Sequence, residues 1–66
     1  MARGTRGKLK ENLEGIHRNC DWIKAHCAKS LGLLTDEHPD LQKSFSGLAE
    51  IANELDKFTQ EIYVHI

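Results

Sequence analysis

Along both halves of the chain, apolar side chains recur at alternating intervals of four and three. In the first half they fall at Leu9, Leu13, Ile16, Cys20, Ile23 and Cys27, then, past Ser30, at Leu34. In the second half they fall at Leu41, Phe45, Leu48, Ala52, Leu55, Ile62 and Ile66, with Thr59 in step. Such spacing keeps one stripe turned toward a neighbour over the whole length of a helix. It does not match the period of two that a half-buried strand requires, and neither half holds an alternating β-branched run. With 66 residues there is material for one small domain. The two stripes must therefore find their first partner in each other.

The punctuation agrees with two helices. Thr5 is placed to cap the first, and Gly32 to take the left-handed position that ends it. Thr35, Asp36, Glu37 and His38 form a turn, and Pro39 follows, where the first helical position loses only a donor the helix does not use. Asp36, Glu37 and Asp40 bring negative charge to the positive end of the second helix. The expectation is an all-α fold, an antiparallel two-helix hairpin of coiled-coil type that dimerises into a four-helix bundle. It forms a single domain over 1–66, with helix 1 at about 5–31, a turn at 32–38 and helix 2 at about 39–65. Residues 1–8 are expected as a basic N-terminal arm.

A turn centred between residues 37 and 38 fixes the register, because facing residues then have numbers summing to about 75. The layers become Leu9 with Ile66, Leu13 with Ile62, Ile16 with Thr59 and Cys20 with Leu55. They continue as Ile23 with Ala52, Cys27 with Leu48, Ser30 with Phe45 and Leu34 with Leu41. In the middle layers a small residue faces a larger one, which keeps layer volume nearly constant. His17 and Asp56 flank this seam on one side and are the expected cross-helix pair. Charge supports the same pairing: residues 1–34 carry net +4 and residues 35–66 net −5, giving the chain −1. A basic helix beside an acidic one favours the hairpin over pairing of like with like.

A hairpin covers only one side of each stripe. Ile51 and Phe58 lie beside the seam of helix 2, on the flank shared by Leu33, Asn19 and His26, and Trp22 stands one step further round helix 1. Burying a large apolar side chain is worth about 1.5–3 kcal/mol, so such residues call for a partner. Trp22, His26, Leu33, Ile51 and Phe58 are accordingly the expected partner-binding or oligomer interface, with Trp22 the foremost contact. Arg3, Arg6, Lys8, Lys10 and Arg18 are the candidate contacts if the partner is a nucleic acid. Against a nucleic-acid role stand an isoelectric point near 6.4 and the acidic helix alongside.

Chemistry is sparse. The sequence has no phosphate-binding glycine loop, no CxxC and no HExxH. Cys20 and Cys27 are seven apart, about 10.5 Å along one helix, too far for an intrachain disulfide. They read as buried thiols of a reduced, cytoplasmic protein. His17, Cys20, Asp21, His26 and Cys27 have ligand-like spacing, but the cysteines occupy the stripe while the two histidines point to opposite flanks. No metal, no cofactor and no catalysis are expected. No apolar run approaches the about 18–20 residues of a membrane span, so no membrane partner is expected either.

Two resemblances concern particular features. A dimerising hairpin of this shape resembles the Rop-type regulators of plasmid copy number, a likeness of architecture over the whole chain without shared motif residues. It implies RNA or DNA binding through the basic helix. The run Asn53-Glu54-Leu55-Asp56-Lys57, with Phe58, Glu61 and Tyr63 after it, is similar to the second-helix signature of the small hairpin phosphatases that act on the sporulation response regulator. Those proteins carry Ser-Gln-Glu-Leu-Asp there; here Ala52 and Asn53 stand in place of Ser-Gln, and the motif lies about two helical turns further from the hairpin turn. That resemblance implies Asp56 as the functional carboxylate. The reading from the residues is a non-catalytic protein-binding module, a regulatory, inhibitor or adaptor protein that binds a second copy of itself and another protein. Its size suits the small regulators that bacteria and phages encode. The alternative reading is a nucleic-acid-binding regulator using helix 1 and its basic N-terminus.

Overall fold

A computed structural model of the chain describes residues 2–34 and 37–66, with side chains from Gly4 onward. Two helices account for nearly all of it, α1 over Ala2–Leu33 and α2 over Pro39–Val64. They pack against each other as an antiparallel hairpin, a rod of 56 × 15 × 11 Å. The expected turn residues Thr35 and Asp36, and the Arg3 side chain, lie outside the described residues.

The helix ends depart from expectation in detail. α1 starts at Ala2, so Thr5 lies inside it and does not cap it, and the expected basic arm is its first two turns. Nothing in residues 2–8 breaks a helix once the packed part has nucleated it; Gly4 and Gly7 weaken it without ending it. Gly32 is helical too, and no described glycine has positive φ. α1 closes with a tightened last turn, in which Leu34 N–H donates to the Leu31 carbonyl at 3.2 Å. α2 opens on Pro39, as its missing donor allows, and the first turn is held by Gln42 N–H to the His38 carbonyl at 3.0 Å. Asp40 sits in that turn, where the helix dipole favours it.

The core is narrow. Leu13, Cys20 and Cys27 are buried from α1, and Ala52, Asp56 and Thr59 from α2. Both cysteines are free thiols, each 2% exposed. Thr59 serves as a small residue, because its hydroxyl donates back to the Leu55 carbonyl at 2.8 Å and carries no unmet polarity into the seam.

The expected layers need correction. Leu9, Ile16, Leu41, Leu48, Leu55 and Ile62 were assigned to the seam, yet each is about half exposed, between 45% and 51%. The register itself holds, since the cross-helix pairs His17–Asp56 and Glu14–Tyr63 fall on either side of the expected sum. What differs is rotation. Each helix is turned by about half a heptad position, so that α2 presents Ala52, Asp56 and Thr59 and α1 brings in His17 and Lys24 beside Cys20 and Cys27. Two helices alone gain most by approaching to about 8–10 Å, and that is reached where the facing side chains are small. The leucines and isoleucines are left on the shoulder.

Candidate functional site

The rotation gives the hairpin two unlike sides. Heptad geometry places Leu9, Asn12, Ile16, Asn19, Ile23, His26, Ser30 and Leu33 on one shoulder of α1. The matching shoulder of α2 carries Leu41, Ser44, Leu48, Ile51, Leu55, Phe58, Ile62 and His65. In an antiparallel pair these two shoulders lie on the same side of the seam. All sixteen are exposed except Ile23 and Ser30, which are half-buried. On α2 the shoulder is an apolar ridge unbroken from Leu48 to Ile62, with Ile51 at 59% and Phe58 at 64% exposure. A shallow groove lined by Gly47, Glu50, Ile51, Asn53, Glu54, Leu55 and Phe58 runs along it.

Four of the five expected interface residues, His26, Leu33, Ile51 and Phe58, lie on these shoulders. Trp22 stands one step beyond, on the outer face of α1, with its ring edge-on to His26 at 4.1 Å. The half-exposed leucines and isoleucines between them are the residues that reading the stripe as one seam missed. Their signal was present in the sequence, as a second four-three series offset from the first.

The opposite side is polar. His17 is the centre of it: Nδ1 lies 2.6 Å from Asp56 Oδ1 on the other helix, and Nε2 lies 3.3 Å from Asp21 Oδ2 one turn along. Lys24 joins both carboxylates, 3.4 Å from Asp21 and 3.8 Å from Asp56. Gln60 donates to the second Asp56 oxygen at 3.5 Å. The hydrogen bond to Asp56 raises the His17 pKa above its ordinary value, helped by the charges of Asp21 and Asp56 and opposed by desolvation and Lys24. The same hydrogen bond lowers Asp56, against the cost of burying its carboxylate, with His17, Lys24 and Gln60 adding to the effect. Toward the open end of the hairpin, Tyr63 hydroxyl donates to Glu14 at 3.2 Å, which raises the tyrosine pKa. Lys10 lies over the Tyr63 ring at 5.3 Å.

His17, Asp21 and Asp56 are also the one group among the described residues with metal-ligand geometry, their donor atoms lying within 4.8 Å of one another. Lys24 already supplies the positive charge there, and both imidazole nitrogens already face carboxylates. The arrangement is that of an ion-pair network joining the helices. The neighbouring pocket, lined by Leu13, Glu14, His17, Thr59, Gln60 and Tyr63, holds about 230 Å³.

The basic residues divide. Lys8 and Arg18 share the outer face of α1 with Lys29 and Trp22, whereas Lys10 is engaged with Tyr63 and Arg6 sits at the open end of the seam. No helix among the described residues is long and apolar enough to cross a membrane. No protein-family model matches this chain, and no curated protein or solved structure matches it either.

Proposed function

We propose that the protein is a non-catalytic protein-binding module whose working surface is the apolar side of the hairpin, and that this surface brings two copies together as a four-helix bundle. The observation that carries the reading is the exposed ridge from Leu41 to Ile62, which repeats the four-three spacing of a packing surface. Area supports it. A compact monomer of 7.5 kDa exposes about 4,200 Å². This hairpin exposes 5355 Å², roughly 1,100 Å² more. A standard stable interface takes about 800 Å² from each partner, so the excess is of the size that association removes.

The polar side pairs its charges within the chain, so apolar association is confined to one face, which favours a dimer over an open chain of copies. With that face taken up, the outer face of α1 with Trp22 remains for a further protein partner in a regulatory or adaptor role. Light scattering over a concentration series tests the proposal. A mass of two chains at micromolar concentration is expected, and a single-chain mass throughout would overturn self-association.

A second reading has one observation in its favour, the outward row of Lys8, Arg18 and Lys29 on a rigid 32-residue helix. It assigns RNA or DNA binding to that face. Binding to a generic duplex that weakens steeply between low and moderate salt would favour it, and no binding at low salt would remove it.

A further inference from the structure

Resting on the self-association reading, we propose that the second copy docks with its hairpin turn at the same end, so that α1 of each copy lies against α2 of the other. Two hairpins can stack face to face about a two-fold axis in two ways. An axis parallel to the helices sets α1 beside the other copy's α2 and leaves both turns together. An axis across the helices sets α1 on α1 and α2 on α2, with turns at opposite ends.

Charge separates the two. The segment containing α1 carries net +4 and the segment containing α2 net −5. The parallel axis surrounds each basic helix with two acidic ones. The crosswise axis puts basic beside basic and acidic beside acidic, the arrangement that like-charge repulsion penalises.

The parallel axis also sets which side chains meet. An axis parallel to the helices leaves heights along the rod unchanged, so the register between copies is close to that within each hairpin. Ile16 of one copy then meets Phe58 of the other, and Ile23 meets Ile51. The polar positions on the α1 shoulder meet apolar ones, Asn19 opposite Leu55 and His26 opposite Leu48. Two layers are then apolar from both copies, and Asn19 and His26 each face a leucine. With the crosswise axis α1 meets itself, Asn12 opposite Ser30 and Ile16 opposite His26, and the apolar ridge of α2 meets itself, so charge is what separates the two arrangements.

The test is a distance between copies. Gly4→Cys puts a spin label near the open end of the rod, where an added Cβ meets no atom within 4 Å, and replacing a helical glycine does not weaken the helix. Cys20 and Cys27 are 2% exposed and stay unlabelled in the folded protein, with the wild-type chain as control. Helices about 10 Å apart and matched in height give a label separation within about 30 Å. The crosswise arrangement separates the labels by about 50 Å. Gly32→Cys, equally unobstructed, gives a smaller contrast, because the crosswise register of Asn12 on Ser30 sets its labels about 33 Å apart along the rod, and Gly4→Cys is the deciding pair. A two-chain mass with a short distance between the Gly4→Cys labels is the expected result. A two-chain mass with a long distance overturns the orientation and leaves self-association standing, and a one-chain mass overturns self-association and the orientation with it.

Discussion

The two sides of the hairpin solve the same problem in opposite ways. On one, His17, Asp21, Lys24 and Asp56 close the cleft between helices with hydrogen bonds and ion pairs, and no buried polar side-chain atom among the described residues is left without a partner. On the other, Ile16, Leu48, Leu55 and Phe58 remain at 45% to 64% exposure. The polar side meets its hydrogen-bonding needs within one chain. The apolar side leaves its large side chains half exposed. Directional, short-range chemistry therefore fixes how the helices meet, and non-directional burial is left to decide what they meet next.

Four substitutions bear on this contrast. The largest effect is expected between the two sides, at the seam. Cys20→Asp places an unpaired carboxylate where the wild-type thiol is 2% exposed. That costs several kcal/mol, against the roughly 3–5 kcal/mol that a core in a chain this short supplies. Loss of helical circular dichroism at 25 °C is the expected readout, and retained cooperative melting would show that the seam is misplaced.

Next comes the apolar side. Leu55→Asp is expected to leave the isolated hairpin folded and to weaken self-association about a hundredfold, since two symmetry-related leucines lose at least roughly 3 kcal/mol of burial. Sedimentation or light scattering reads the shift. An unchanged dimer would assign Leu55 to solvent, and an unfolded chain would return it to the seam.

The polar side predicts a pH effect. The ordinary His17 value is 6.5 and folding raises it, so its contribution is complete below 6.5 and is lost as pH rises through the raised value. The ordinary Asp56 value is 3.8 and folding lowers it, so its contribution is complete above 3.8 and is lost as pH falls through the lowered value. Both contribute fully between those two values. Urea midpoints should therefore fall on going from about pH 5.5 to about pH 8, and His17→Gln should flatten that fall. Equal pH dependence in both proteins would place the titrating group elsewhere.

The smallest effect is at a position outside both sides. Among the described residues Lys57 pairs with Glu54 on its own helix alone, at 3.3 Å, and both side chains are 64% exposed. Lys57→Ala should change stability by no more than about 0.5 kcal/mol in chemical denaturation. A larger loss would bring this face into an interface.

The amino-acid sequence by itself determined a good deal. The four-three spacing specified helices, Pro39 fixed where the second begins, and the short turn set the register that joins His17 to Asp56. Each of these depends on local geometry or on chain length, which a sequence carries directly. The candidate surface was legible in part: His26, Leu33, Ile51 and Phe58 were read from their place beside the stripe, while Leu48, Leu55 and Ile62 were read as seam residues and stand half exposed. Both shoulders and both seams repeat every seven residues, so periodicity alone cannot rank them. Only the tertiary structure decided between them. Close approach of two helices rewards the small residues Cys20, Cys27, Ala52 and Thr59 at the line of contact, and it brings in a histidine and an aspartate that satisfy each other there. The larger apolar residues stay on the shoulders, half exposed, because a contact line wide enough to take them would hold the two helices further apart.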